Sequence, residues 1–278
     1  MIKWLWSVIS LTTASLLLVY AVLYFLQDAM LFHPQPLDAN VLHWARKNFP
    51  GAELKLPVAN GVTLHGWLYL PPGQGPHPLL LLFGGNADEI TSYLSVHKEL
   101  AGWALGAFNY RGYGFSQGKP TQKALFADAL SVYDTLAKHA VIDSKRIVAF
   151  GRSLGTGVAV YLAAHRPLRG VVLVSPYDSI LALAQEVHPY APVNLLLKHP
   201  FNSLALAPKI KVPMMALVGE EDTLISPVHS QRLVDAWGGS AMMRTIPAVD
   251  HDTIMDNVKR WQTIHRFLLS LEGSKQHY

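Results

Sequence analysis

The chain has 278 residues, is 50% hydrophobic, carries a net charge of +4 and contains no cysteine. Beyond one apolar N-terminal segment, the length suits a single α/β domain with a sizeable core. The mixed charges, without a basic run, exclude a nucleic-acid footprint; the missing cysteines exclude disulfides, thiolate nucleophiles and cysteine-type zinc sites, and leave the redox compartment open.

From Trp4 to Leu26 the sequence "WLWSVISLTTASLLLVYAVLYFL" runs 23 residues without a charge. As a helix it spans about 34 Å, enough for a hydrocarbon core of about 30 Å. Trp4 and Trp6 at one end and Tyr24 and Phe25 at the other suit interfacial anchors. A cleaved signal peptide is the alternative, but no Ala-x-Ala-type site follows in "QDAMLFHPQ". Residues 1–30 therefore read as a single-pass anchor and 31–278 as the catalytic domain. Lys3 and the amino terminus are the positive charges nearest the segment, with Arg46 and Lys47 well beyond it. That bias places the N-terminus in the cytoplasm and the domain on the far, periplasmic side.

After the anchor, "HPQPLDANVLHWARKNFPG" has a short helical look. "AELKLPVANGVTLHGWLYLPP" alternates on both sides of "ANG", as a β-hairpin does. "LLLLF" (Leu79 to Phe83) reads as a strand buried on both faces. A helix is expected around Ala87 to Leu100, then strand "WALGAFNY", helix "KALFADALSVYDTLAKHA", strand "RIVAFG", helix "RSLGTGVAVYLAAHRP" and strand "GVVLVSP". About 35 residues with little strand character follow. Strand "VPMMALVG", a helix from Pro227 to Trp237, strand "MMRTIPA" and a helix from Thr253 to about Leu271 complete the chain, with a frayed tail "EGSKQHY". This alternation specifies a mostly parallel sheet flanked by helices.

"GRSLG" places Ser153 on a strand–turn–helix corner. Gly151 and Gly155 flank it because a side chain there would collide with its neighbours. The following helix N-terminus favours a developing negative charge. A serine hydroxyl needs a base, and the base an orienter. Asp222, in "LVGEEDTLISP", and His251, in "IPAVDHDTI", each follow a strand, in the order Ser, Asp, His. Glu221, Asp250 and Asp252 are weaker candidates for the acid; Asp178 in "SPYDS" is the best rival. One oxyanion donor is expected from the Leu154 backbone N–H. The other comes from "FGGNADE", with Gly85 and Asn86 as candidates. "GFSQGKPT" has the wrong glycine spacing for a P-loop, and Pro120 stands where Ser or Thr is needed. No metal-ligand motif occurs.

Together, "FGGNADE", "FNYRGYGFSQGKPT", "GRSLGTG", "SPYDS", "LVGEEDTLISP" and "VDHD" resemble, in order and spacing, the membrane-anchored α/β-hydrolase (ABHD-type) serine hydrolases. The resemblance covers nearly the whole chain and implies an α/β-hydrolase fold. It also implies Ser153 as nucleophile, Asp222 as acid, His251 as base and the loop from Gly84 to Asp88 as oxyanion segment. That segment usually reads His-Gly-Asn-Ala-Gly-Asn. Here Gly84 replaces the His and "DE" the final Gly-Asn, which leaves the loop's scaffolding open.

Residues 177–208 are expected to form a small helical cap. Its Leu, Ala and Pro, with His188, Tyr190 and Phe201, either line an apolar acyl site or pack the cap onto the sheet. The expected chemistry is hydrolysis of an acyl ester or thioester, lipid-like substrates included, without a cofactor or metal. A membrane serine peptidase with the same triad and a non-catalytic scaffold are the alternatives. The oligomeric state is left open.

Overall fold

The computed structural model describes residues 2–100, 102–256 and 258–273. Eight strands form one sheet: β1 (Glu53–Val58), β2 (Val62–Tyr69), β3 (His77–Phe83), β4 (Ala104–Phe108), β5 (Ile142–Arg152), β6 (Gly170–Val174), β7 (Met214–Gly219) and β8 (Ala241–Ile246). Their order is β1-β2-β4-β3-β5-β6-β7-β8. β2 runs antiparallel to β1 and β4, and every other pair is parallel. This is the fold expected for an α/β-hydrolase.

The hairpin turn at "ANG" puts both Asn60 (φ 65°) and Gly61 (φ 67°) in the left-handed region, which these residue types adopt at least cost. Within the parallel strands, successive side chains feed opposite cores, because strand side chains alternate between faces. Leu79, Leu81, Ala149 and Leu173 join one core; Leu80, Leu82, Phe150 and Val172 join the other. The first core is closed by α3 (Gln122–Leu136), α4 (Leu154–His165) and α7 (Pro227–Asp235), which contribute Val132, Val158 and Leu233. The second is closed by α2 (Ala39–Asn48) and α8 (Val258–Gly273), through Ala45 and Leu268.

Two elements differ from the sequence reading. The stretch near Ala87 to Leu100 forms 3-10 turns over Ile90–Leu100, not an α-helix. Thr91 in this segment is held locally by Glu89 and, from across the fold, accepts the Trp67 indole N–H of β2. The last helix begins at Val258, after a separate 3-10 turn at Thr253–Met255. Asp250 Oδ1 accepts the N–H groups of Asp252 and Thr253 at the start of that turn. Of the expected frayed tail, Glu272 and Gly273 belong to α8; residues 274–278 lie outside those described.

α1 (Ile2–Leu31) is a continuous helix, long and apolar enough to cross a membrane. Residues 177–208 hold two short helices, α5 (Ile180–Val187) and α6 (Val193–Leu196), above the carboxyl ends of β6 and β7. Phe201 of this segment is buried edge-on against Phe126 of α3 and so packs the segment down, while His188 lines the cavity beneath it and Tyr190 is exposed.

Candidate active site

Ser153 occupies the corner between β5 and α4 with φ 49° and ψ −118°. A non-glycine residue in such a conformation costs about 1–3 kcal/mol and persists only where its surroundings over-determine it. Here they do. The Ser153 N–H donates to Val174 O (2.9 Å), and Ser153 O accepts from Thr156 N–H (2.9 Å) and Thr156 Oγ1 (2.7 Å). A Cβ at Gly151 would strike the Gly155 carbonyl, and one at Gly155 the carbonyl of Phe83 at the end of β3. The two glycines thus permit the tight corner.

Asp222 follows β7 and His251 follows β8, so the three residues meet at the carboxyl ends of the parallel strands. His251 Nε2 lies 2.9 Å from Ser153 Oγ, and His251 Nδ1 lies 2.9 Å from Asp222 Oδ2. Asp222 Oδ1 accepts the N–H groups of Ile225 (2.8 Å) and Leu224 (3.1 Å), which fix the carboxylate plane. Burial pushes the Asp222 carboxyl up, but the bonds from His251 and Ile225 outweigh it and hold the group below its ordinary value. All three side chains are buried.

Asp178, the rival acid, points elsewhere. Its carboxylate takes the Ser179 N–H (2.6 Å), His229 Nδ1 (2.9 Å) and Arg232 (3.3 Å). His229 Nε2 bonds in turn to Glu186 of α5 at 2.7 Å, so this cluster ties the segment over the site to α7.

The loop after β3 sorts the two candidate oxyanion donors. The Gly85 N–H is already spent on Asp88 Oδ2 at 2.7 Å, which corrects the expectation that it could serve. The N–H groups of Asn86 and Leu154 find no acceptor among the described residues, and both residues line one cavity with Ser153. Two tyrosines of "YRGYG" brace the loop from behind: Tyr110 OH donates to Gly84 O (2.9 Å) and Tyr113 OH to Asn86 O (2.6 Å). Burial raises both phenols, so they remain protonated donors.

Asp88 is the residue that sequence reasoning missed. Besides Gly85, it accepts Arg152 (2.8 Å) and Tyr93 OH (2.7 Å), while Arg152 also reaches His251 O (3.3 Å). The substituted "DE" therefore supplies the scaffolding that the loop's departure from the family pattern left open. The signal was present: an acid in a Gly-rich loop and an arginine directly before Ser153 are two charges that, once buried, require each other.

The cavity has a volume of about 370 Å³. Its wall carries Leu183, Val187, Leu196 and Ile225, without an Asp, Glu, Lys or Arg. Among the described residues no cluster of three or more His, Asp or Glu side chains could hold a metal ion.

A family described as "Serine aminopeptidase, S33" (Hydrolase_4) matches residues 74–198. The chain is 31% identical over 222 residues to the uncharacterized protein Rv2307c of Mycobacterium tuberculosis, covering 78% of this chain and 79% of that one. It is 29% identical to the α/β hydrolase domain-containing protein WAV2 of Arabidopsis thaliana, over 68% and 67% of the two chains. It is 26% identical to the uncharacterized membrane protein YNL320W of Saccharomyces cerevisiae, over 80% and 81%. In fold it is similar to 2,6-dihydroxy-pseudo-oxynicotine hydrolase, with TM-score 0.70 and 17% identity over 85% of this chain and 74% of that one. It is also similar to the Pyrococcus furiosus esterase PF2001, with TM-score 0.66 and 20% identity over 86% and 97%. The sheet order, the serine corner and these relatives agree, and the chain belongs to the ABHD-type α/β-hydrolase family of serine hydrolases.

Proposed function

We propose that this protein is a membrane-anchored serine hydrolase that cleaves carboxylic ester or thioester bonds through an acyl-enzyme. The observation that carries this reading is the unbroken relay from Asp222 through His251 to the strained Ser153. Ser153 Oγ attacks the carbonyl carbon while His251 Nε2 takes its proton. Asp222 holds the His251 tautomer with Nδ1 protonated and stabilises the imidazolium. The carbonyl oxygen, becoming negative, is met by the Leu154 N–H at the N-terminal end of α4 and by the Asn86 N–H of the loop after β3. His251 returns the proton to the leaving oxygen or sulfur. Water then attacks the acyl-Ser153 ester by the same route and releases the acid.

A serine peptidase is the second reading, favoured by the description of the matching family. The cavity speaks for the ester. A free α-ammonium group needs a carboxylate partner when it leaves water, and the cavity wall offers none. α1 serves as the single membrane span, with the catalytic domain on the periplasmic side.

The test is a fluorophosphonate probe, followed by matched ester, thioester and peptide substrates. Labelling of wild type but not of Ser153→Ala, with ester or thioester turnover, is the expected result. Equal labelling of both would remove Ser153 from its role; preferred peptide turnover would select the second reading; an unlabelled, folded wild type would point to a scaffold.

A further inference from the structure

α1 is longer than a membrane needs. Its 30 residues extend about 45 Å, against about 30 Å of hydrocarbon. Residues 3–19 are exposed throughout. From there on, Tyr20, Leu23, Gln27 and Leu31 are half-buried, and their spacing puts them on one helical face.

Tyr20, Leu23, Tyr24, Met30 and Leu31 line the same cavity as Ser153, opposite the apolar side chains of α5 and α6. The helix is fastened there by polar contacts. Gln27 Nε2 donates to Leu196 O (3.0 Å), the Lys198 N–H donates to Gln27 Oε1 (2.7 Å), and His199 Nε2 bonds to Asp28 Oδ1 (3.0 Å). Just past the helix, the His33 N–H donates to Asn86 O at 3.0 Å, and Asn86 lines the same cavity.

We propose that the last three turns of α1 are one wall of the acyl-binding cavity, and that the cavity takes the hydrocarbon chain of an amphiphile lying in the same membrane. The inference rests on the reading of Ser153 as the nucleophile. The volume of about 370 Å³ leaves room for an alkyl chain. The rim supports a bilayer source. Val187 and Leu224 line the cavity and are themselves exposed, and Tyr190 and Leu195 beside them are more exposed still. These side chains extend the apolar surface of α1 around the opening. A large exposed apolar patch continuous with a membrane segment fits a lipid surface. A tail sliding along α1 keeps apolar contact from bilayer to cavity, whereas crossing water would cost about fourfold in equilibrium constant for each methylene exposed.

The test uses the full chain in phosphatidylcholine vesicles with p-nitrophenyl esters of two to fourteen carbons. We expect kcat/KM to rise with chain length to an optimum. Leu23→Trp should move that optimum to shorter chains and Leu23→Ala to longer ones. Phe25→Trp, on the exposed side of the same turn, should leave it in place. At fixed bulk concentration, the rate on long esters should follow their mole fraction in the vesicle. An unchanged optimum in both Leu23 variants, a shift of the same sign in both, or a rate that ignores mole fraction overturns the proposal. Fluorophosphonate labelling of each variant separates these outcomes from a failure at Ser153: a wild type that labels but shows no dependence on Leu23 retains its nucleophile and loses only this wall.

Discussion

The carboxylate of Asp88 meets the guanidinium of Arg152 at 2.8 Å, one residue before Ser153. The same carboxylate holds the Gly85 N–H, so a single side chain spans the gap between the loop after β3 and the serine corner. Both partners are largely buried, where a charge-assisted hydrogen bond is stronger than a neutral one and loss of either partner leaves the other charge unpaired. Asp88→Asn keeps the shape but weakens the clamp, leaving the Asn86 N–H less well aimed. Loss of one oxyanion donor costs about 10²–10³ in kcat; a loosened donor should cost on the order of tenfold to a hundredfold. The readout is a kcat that falls more than KM rises, with slower fluorophosphonate labelling. A change in KM alone would assign Asp88 to substrate binding instead.

His251 stands between Ser153 and Asp222 with both ring nitrogens engaged. His251→Ala should lower kcat by on the order of 10⁴-fold or more, and combining it with Ser153→Ala should add little, because groups that act as a unit are not additive. Pre-steady-state labelling and single-turnover hydrolysis measure this. Additive losses would mean the two side chains act separately.

Asp222→Asn and Asp178→Asn should behave in opposite ways. The first puts an amide against His251 Nδ1 and selects the wrong tautomer, at a cost of about 10⁴-fold in kcat. The second leaves Ser153 and His251 untouched but unpairs His229 from Asp178, a buried contact. It should lower thermal stability, with turnover within a few-fold of wild type. Reversal of the two results would make Asp178 the acid.

Acid stability offers a separate reading of Asp222. Its folded carboxyl lies below the ordinary value, so the unfolded chain binds more protons in the window just below about pH 4. The stability contributed by this group is therefore present above about pH 4 and is lost as the pH falls through the folded value. The midpoint of thermal unfolding should fall more steeply between about pH 5 and pH 3 in wild type than in Asp222→Asn. Parallel slopes would show that the carboxyl is not held down in the folded state.

The sequence by itself determined what local pattern can encode. The apolar run Leu79 to Phe83, the two-residue alternation around "ANG" and the glycines flanking Ser153 each record a constraint acting within a few residues, on strand, turn or corner. Because Ser153 directly follows β5, and Asp222 and His251 lie in the loops after β7 and β8, their shared edge of the sheet could be read from order alone. The 3-10 turns at Ile90–Leu100 could not be read, because runs of this kind longer than about four residues are uncommon and a helical sequence pattern is read as an α-helix by default. Contacts between distant residues were left to the tertiary structure. It decided that Gly85 is spent on Asp88, that Asp178 belongs to His229, and that Tyr110 and Tyr113 brace a loop earlier in the chain. It also decided the orientation of α1. A helix apolar on all sides suits lipid and cavity equally well, and only the packing of Gln27, Asp28 and His33 against segments far along the chain turns one of its faces toward Ser153.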